Sequence, residues 1–208
     1  GNTEDNVKKL YETVWRNKAL TDTYEPGSTF KSITAAMGIE EGRINKNSIV
    51  SDAPLDLSGW QIRCWRKYQD HGSETFADAV KNSCNPAFMT IGERIGADMF
   101  IKYVNGFNLI APTGIDLPGE ANGLFFTKPQ MGIVEVATTS FGQGFEVTPI
   151  QMITAVSAVC NGGYLMRPYV VSSIEDNDGN TVLVNEPTVI RQVISSETSD
   201  KVNAILET

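Results

Sequence analysis

The sequence predicts a mixed α/β fold that is mostly helical and has a β-hairpin towards its C-terminal end. Of its 208 residues, 41% are hydrophobic, and 9 Phe, 6 Tyr and 3 Trp can fill one sizeable core. Apolar residues recur at helical spacing in several segments that end at Gly or Pro. Alternating residues flank the turn signal "NDGN" in "YVVSSIEDNDGNTVLV". We therefore expect a single globular unit built around one core.

Helical segments are predicted along most of the chain. Apolar spacing and capping residues predict helices over 3–20, from Ser28 to Gly38 or Gly42, from a cap at Ser73 to 81, from a cap at Asn85 to 95, over 98–105, over 148–161 and over 195–208. Residues 43–72 lack a sustained period and read as short strands and loops, and "IDLPGEANG" and "SFGQGFEV" read as Gly-rich loops. In the helix of "TPIQMITAVSAVCNGG", the expected buried face contains Ile153, Val156 and Cys160.

The charge balance argues against a nucleic-acid-binding surface. The chain has 17 Lys and Arg against 25 Asp and Glu, a net charge of -8, and no basic cluster that would neutralise phosphates. No apolar stretch reaches the roughly 18 to 20 residues that cross a bilayer, and "GNTEDNVKKLYETVW" lacks the apolar part of a signal peptide. We expect any anchor or export signal to lie outside this chain.

The stretch "YEPGSTFKSITAAMG" places Ser28 and Lys31 three residues apart at the start of a predicted helix. Residues at this spacing share a helix face, so the hydroxyl and the amine can approach each other. A serine needs a base to become a nucleophile, and a partly desolvated lysine with a lowered pKa can serve as one. The pattern alone is weak, because Ser-x-x-Lys occurs about once by chance in a chain of this length. The alternative is an ordinary polar first turn.

A second constellation, "NSCNP", places Ser83 and Asn85 between two predicted helices, from where side chains can face a cleft. Asn85 can instead cap the following helix. These two roles are compatible, since they use different atoms.

Together these motifs resemble the transpeptidase domain of class B penicillin-binding proteins. The blocks, in order, are "EPGSTFK", "NSCNPAF", "TGIDLPGE", "SFGQGFEVTPIQM" and "NGGYLMRPYV", and they cover roughly residues 15 to 170. The wording around "WRNKALTDTYEPGSTFK" and "NSCNP" is most similar to the sporulation-specific (stage V, D-type) and division enzymes of Gram-positive spore formers. The resemblance implies the penicillin-binding protein transpeptidase and serine β-lactamase-like fold. This chain would be mostly its helical part plus a C-terminal β-hairpin, with some sheet strands missing.

The resemblance further implies a serine-type D,D-transpeptidase that cross-links peptidoglycan stem peptides in cell-wall or spore-cortex synthesis. Ser28 would attack the D-Ala-D-Ala carbonyl and form an acyl-enzyme, with Lys31 as the base that accepts its proton. Ser83 would relay protons to the leaving group, and Asn85 would hydrogen-bond the substrate amide. β-Lactams would acylate the same serine. The chemistry needs no cofactor, and the expected partners are stem peptides, β-lactams and a membrane glycosyltransferase, at the extracytoplasmic face of the membrane.

The family's Lys-Thr-Gly motif is missing from the sequence, and "PTG" at 112–114 lies in the wrong place. In the family, that motif lies on a strand that follows a helix like the one predicted over 195–208. The strand also donates a backbone N–H to the oxyanion hole, whose loss alone can lower a rate by about 10² to 10³. We therefore expect residues 1–208 to be a single incomplete transpeptidase domain, inactive by itself.

The sole histidine suggests a metal site near "NSCNP". Cys64, Asp70, His71 and Cys84 make a set of two thiolates, a carboxylate and an imidazole that zinc accepts, and the site would be structural. The spacing is not that of a standard zinc finger. A disulfide between Cys64 and Cys84 and two unlinked buried thiols are the alternatives, whereas Cys160 is expected to be a core thiol.

Two further functions stay open alongside transpeptidation. One is a non-catalytic penicillin-binding sensor or scaffold, in which acylation is the signal. The other is hydrolysis, as in a D,D-carboxypeptidase or β-lactamase, which requires a positioned water. The three tryptophans are expected to pack in the core, although Trp60 or Trp65 could line the substrate groove.

Overall fold

The computed structural model describes residues 3–57, 59–66 and 71–207, with the side chains of residues 12 and 60 left out. The described residues form α1 (Glu4–Thr13), α2 (Lys18–Thr21), α3 (Lys31–Glu40), α4 (Phe76–Lys81), α5 (Asn85–Ile95), α6 (Ala97–Gly106), α7 (Ile133–Ser140), α8 (Pro149–Cys160) and α9 (Ser196–Leu206). The strands are β1 (Ile49–Ser51), β2 (Leu55–Leu57), β3 (Trp60–Ile62), β4 (Ser73–Thr75), β5 (Tyr164–Arg167), β6 (Ser173–Glu175), β7 (Thr181–Val184) and β8 (Thr188–Gln192). None of the described helices is long and apolar enough to cross a membrane.

Helix α3 runs through the centre of the molecule. Its sequence, "KSITAAMGIE", is apolar or small at almost every position, and Ile33, Ala36 and Met37 are fully buried. A helix that is apolar on all sides must be covered on all sides, and α5, α8 and α9 pack against it. At Gly38 an added Cβ would come within 2.9 Å of Ile44 and 3.1 Å of Ile91, so the small residue allows close packing. The element that follows the Ser28 turn is therefore held rigidly.

The strands described pair into four two-stranded antiparallel sheets: β1 with β4, β2 with β3, β5 with β8, and β6 with β7. The pairing of β6 with β7 confirms the predicted hairpin, with Asp176 accepting hydrogen bonds from the backbone of Asp178 and Asn180 at its tip. The sheet β1–β4 leads directly into α4, and so it supports the segment that contains "NSCNP".

Two predicted helix caps are wrong by one or two residues. Helix α4 is capped by Thr75, whose hydroxyl accepts from the N–H of Asp78, because Ser73 belongs to β4 and is not free to cap. Helix α5 has Cys84 at its N-cap, and Asn85 is its first helical residue. The Asn85 side chain is engaged elsewhere, by a lysine ammonium, and so does not cap the helix.

The predicted face of α8 is also wrong. Ile153 is 58% exposed and Cys160 is exposed, so Cys160 is not a core thiol. The buried stripe is Met152, Ala155 and Val159, which has the same helical period shifted by one residue. In a helix whose sequence is apolar nearly all round, the period does not identify the side that its neighbours cover.

Helix α7 was not predicted from the sequence. Its residues, "IVEVATTS", are mostly β-branched and have weak helix propensity. The Glu135 carboxylate accepts a hydrogen bond from the N–H of Gly132 and so caps its start. An added Cβ at Gly92 of α5 would lie 2.7 Å from the Cβ of Ser140, which shows how closely the two helices pack. Tertiary packing therefore sets this helix.

Candidate active site

Ser28 lies in a tight turn at the start of the central helix. Residues Gly27–Phe30 form a 3-10 turn that continues directly into α3 at Lys31. Residues three apart nearly eclipse in a 3-10 turn, so Ser28 and Lys31 share one face, as predicted. Ser28 is exposed, whereas only 4% of Lys31 is accessible. The arrangement presents a hydroxyl to solvent with an amine buried behind it.

The loop before α5 brings Ser83 and Asn85 to the same place. Lys31 Nζ donates hydrogen bonds to Ser83 Oγ at 2.9 Å, to the Ser83 carbonyl at 2.8 Å and to Asn85 Oδ1 at 2.6 Å. Ser83 Oγ in turn donates to Ser28 Oγ at 3.1 Å. The structure thus joins the four candidate catalytic residues into one connected hydrogen-bonded group.

The order of the hydrogen bonds differs from the simplest expectation. Among the described residues, no hydrogen bond joins Lys31 Nζ directly to Ser28 Oγ, and the Ser83 hydroxyl bridges the two. The backbone of Ser83 has φ 53°, in the left-handed region that non-glycine residues rarely adopt. Such a conformation costs on the order of 1 kcal/mol and persists where the surroundings impose it. Here it allows both the carbonyl and the hydroxyl of Ser83 to contact Lys31.

Burial shifts Lys31 towards its neutral form. Desolvation lowers the pKa of its amine to about 8, and the neighbouring Cys84 and Cys64 oppose this shift only in part. The ammonium also lies 5.4 Å from the centre of the Phe88 ring, which forms part of its apolar surroundings. At neutral pH a useful fraction of Lys31 is therefore unprotonated and able to accept a proton.

The Gly-rich loop "SFGQGFEV" also holds the turn Gly27–Phe30, which we call the nucleophile turn. The N–H of Gly27 donates to the carbonyl of Gly142 at 2.8 Å, and the N–H of Gly144 donates to the Glu25 carboxylate at 2.9 Å. An added Cβ at Gly142 would lie 2.0 Å from the Gly27 carbonyl oxygen, and the φ of Gly142 is +87°. Only glycine fits this approach. The sequence predicts a loop at "SFGQGFEV", and the signal for this close approach is the pair of glycines within three positions, Gly142 and Gly144.

Trp65 supports the Ser83 loop. Its indole N–H donates to the carbonyl of Asn82 at 2.9 Å, while 62% of the residue remains exposed. The Asn82 amide also donates to Glu74 at 2.6 Å. Trp65 is therefore not a core residue, and it lies next to the residue that precedes Ser83. The side chain of Trp60 lies outside the described part of the structure.

Two of the four candidate zinc ligands are neighbours. Cys64 and Cys84 are buried free thiols in hydrogen-bonding contact, and burial raises the pKa of Cys84 to about 12. The Nε2 of His71 is buried without a hydrogen-bond partner among the described residues. Asp70 lies outside the described residues. In the part of the chain that is described, no three His, Cys, Asp or Glu side chains come together as a metal-ligand group. The two thiols suit zinc, and the described residues by themselves do not make up a complete ligand set.

Comparison with known proteins shows which family the chain is similar to. The model of the penicillin binding protein transpeptidase domain matches residues 1–208. Stage V sporulation protein D of Bacillus subtilis is 44% identical over 195 residues, which cover 92% of this chain and 30% of that protein. Peptidoglycan D,D-transpeptidase FtsI of Escherichia coli is 26% identical over 171 residues, 82% of this chain and 28% of that protein. The chain thus spans about a third of the length of these relatives.

Solved structures show the same fold. Penicillin-binding protein A from M. tuberculosis, in its imipenem acyl-enzyme complex, has a TM-score of 0.85 and 27% identity, covering 97% of this chain and 48% of that one. Penicillin binding protein 3 from Mycobacterium tuberculosis, complexed with aztreonam, also has a TM-score of 0.85, with 25% identity, 96% of this chain and 44% of that one.

Proposed function

Because the chain belongs to the transpeptidase domain family of the penicillin-binding proteins, we propose that it supplies the nucleophile and base of a serine-type peptidoglycan D,D-transpeptidase. The observation that carries this proposal is the connected group of Ser28, Ser83 and buried Lys31, whose pKa is lowered to about 8. The donor substrate is a stem peptide ending in D-Ala-D-Ala, and β-lactams mimic it.

The first half of the reaction forms the acyl-enzyme. Ser28 Oγ attacks the carbonyl of the penultimate D-Ala, and its proton passes through the Ser83 hydroxyl to neutral Lys31. The peptide C–N bond then breaks, and the departing D-Ala takes a proton back along the same path through Ser83. Asn85, held by Lys31 through its Oδ1, presents its amide nitrogen as a donor to the substrate. The proton transfers among Ser28, Ser83 and Lys31 use contacts that already exist between these side chains.

The second half transfers the acyl group to an amine of another stem peptide. The amine attacks the ester carbonyl, a new amide C–N bond forms, and the C–O bond to Ser28 breaks. The proton lost by the amine returns to Ser28 Oγ. A developing oxyanion also needs backbone donors; Ser28 lies in the first turn of a helix, where N–H groups lack intrahelical partners. The Lys-Thr-Gly strand of the family, absent from these 208 residues, would supply the second donor.

The test uses the full-length protein, a fluorescent penicillin and lipid-linked peptidoglycan precursor. Wild type is expected to gain one penicillin per molecule and to cross-link the precursor, while Ser28→Ala does neither. Ser157→Ala, an exposed serine on α8, is the matched control and should behave as wild type. Absence of a serine-dependent adduct in wild type would sink the proposal.

The same experiment separates the two alternatives. An adduct without cross-linking would identify a penicillin-binding sensor or scaffold. Release of D-Ala with a free acid as product, and no cross-link, would identify a carboxypeptidase. A role in sporulation is favoured over division by the higher identity to stage V sporulation protein D than to FtsI.

We also propose that the site works at the extracytoplasmic face of the membrane beside a glycosyltransferase, because the proposed lipid-linked substrate is polymerised there. The supporting observation is the family relationship alone. Labelling of intact cells with a membrane-impermeant penicillin, followed by co-purification, tests both parts. Labelling that requires lysed cells would refute the location, and recovery of the labelled protein without a glycosyltransferase would refute the partner.

We propose a structural zinc held by Cys64 and Cys84 with His71 and Asp70, and no catalytic step uses it. The neighbouring thiols and the unpartnered His71 Nε2 support it. Elemental analysis of wild type beside His71→Ala decides between zinc, a disulfide and free thiols. Less than a tenth of an equivalent of zinc in wild type ends the idea, and a thiol count then separates the other two.

A further inference from the structure

A cavity lies beside the turn that contains Ser28. A cavity of about 330 Å³ is lined by Glu25, three residues before Ser28, and by Glu146 in the Gly-rich loop. The aromatic residues Phe125, Phe126 and Phe145 also line it, together with Leu124, Gln130 and Gly144. The volume is at the lower end of the roughly 300 to 1,000 Å³ that small-molecule sites occupy. None of the hydrogen bonds that join Ser28, Ser83, Lys31 and Asn85 involves a residue of this cavity.

The cavity is fixed relative to Ser28 by backbone hydrogen bonds. Tyr24 and Val147 exchange two N–H to carbonyl bonds of 3.0 Å, and Gly27 donates to Gly142 at 2.8 Å. Backbone hydrogen bonds therefore hold the chain just before Glu25, at Tyr24, and just after it, at Gly27. One Glu25 carboxylate oxygen accepts from the N–H of Gly144, and the other has no hydrogen-bond partner among the described residues. A ligand held by Glu25 would therefore lie at a set position beside the nucleophile turn.

The lining selects for a cation on an apolar stem. Among the described residues of the lining, both charged ones are carboxylates, and none is Lys or Arg. Glu146 is half-buried and accepts a hydrogen bond from Thr23 Oγ1. The rings of Phe125 and Phe145 meet edge to face with centroids 5.1 Å apart. Aromatic faces attract ammonium groups, and the attraction between opposite charges strengthens as water is excluded. A primary ammonium on an aliphatic chain matches both features.

We propose that this cavity is the acceptor subsite, which binds the side-chain ammonium of the second stem peptide before transfer. The inference rests on the proposed function, because only transfer to an amine requires such a ligand. For the reaction, the ammonium gives one proton to a carboxylate of the cavity and becomes a neutral amine. The amine forms the amide C–N bond, the ester C–O bond to Ser28 breaks, and the second amine proton returns to Ser28 Oγ. The cavity carboxylate then releases its proton to water.

The test measures how an acyl-enzyme divides between two nucleophiles. Full-length protein is acylated with a soluble D-Ala thioester donor, and the acyl-enzyme reacts with a mixture of N-acetyl-lysinamide and hydroxylamine. The first carries an ammonium on a four-carbon stem, and the second is small and uncharged at neutral pH. The ratio of the two products depends only on acyl-enzyme that has already formed, so it is independent of the acylation rate.

In Glu25→Gln and Glu146→Gln, the ratio of the N-acetyl-lysinamide product to the hydroxylamine product is expected to fall by about fivefold, the upper end of the range for an exposed ion pair. Gln keeps an oxygen that accepts the hydrogen bond from Gly144 or Thr23, so each variant removes only charge. Glu175→Gln, an exposed residue of β6, is the control and should keep the wild-type ratio. An unchanged ratio in both variants overturns the subsite. Failure of the wild-type protein to form an acyl-enzyme overturns the proposed function instead.

Discussion

The pKa of Lys31 makes a quantitative prediction for the rate of acylation by penicillin. Only the neutral amine can accept the Ser28 proton, and burial lowers the pKa of this amine from 10.5 to about 8. The rate is therefore expected to rise with pH through about 8 and to level off above it. For a pKa of about 8, the neutral fraction grows from about 3% at pH 6.5 to about 75% at pH 8.5, roughly a 25-fold change.

The perturbation that tests this reasoning is Lys31→Arg, measured beside wild type. Arginine keeps the positive charge but does not lose its proton in this pH range, so the acylation rate should fall by at least about 100-fold. Stopped-flow fluorescence with a fluorescent penicillin, from pH 6 to 9.5, gives the second-order rate constant. The pH dependence of the free penicillin's hydrolysis is subtracted as a control.

A wild-type rate that keeps rising tenfold per pH unit up to 9.5 would refute the lowered pKa. A flat profile between pH 6.5 and 8.5 would refute Lys31 as the base. Ser83 lies between Ser28 and Lys31, so Ser83→Ala breaks the bridge between them. The acylation rate of this variant should fall, while the midpoint of its pH profile should move by no more than about half a pH unit.

Three further outcomes follow from the same contacts. Gly142→Ala places a Cβ 2.0 Å from the Gly27 carbonyl oxygen, so urea denaturation should show that the free energy of unfolding falls by more than about 3 kcal/mol. The control is Gly179→Ala, whose added Cβ meets nothing within 4 Å and which should lose about 1 to 2 kcal/mol; equal losses would contradict the close approach. Trp65→Phe removes the hydrogen bond to Asn82, and thermal unfolding should show a loss of about 1 kcal/mol, with no loss arguing against support of the loop. N-Ethylmaleimide should modify exposed Cys160 in the native protein and buried Cys84 only after unfolding, as mass spectrometry of the digested peptides would show; native labelling of Cys84 would contradict its burial.

Much of the site was predictable because its residues are near in sequence to strong local signals. Ser28 and Lys31 belong to one turn, and the Gly before Ser28 and the apolar run after Lys31 mark the start of a helix. Ser83 and Asn85 lie just before a helix that begins with Pro86. Local sequence signals predicted the turns and helices, and the resemblance to a family indicated that these four side chains come together in one site.

The features that were missed depend on contacts between distant segments. Ser83 has a left-handed backbone, and its carbonyl and hydroxyl both contact Lys31, which lies 52 residues away in the sequence. The approach of Gly142 to Gly27 joins segments that no sequence period connects. The buried side of α8 likewise depends on which neighbouring elements cover it. The helical period alone predicts a core position for Cys160, which lies on the surface.

Covalent acylation of the Ser28 hydroxyl can be located with a peptide map. Full-length protein treated with penicillin and digested with trypsin yields the peptide "ALTDTYEPGSTFK", residues 19–31, in which Ser28 is the only serine. We expect this peptide alone to gain the mass of one intact penicillin, with the fragment ions placing it on Ser28. An adduct on another peptide, or one that persists in Ser28→Ala, would contradict this expectation.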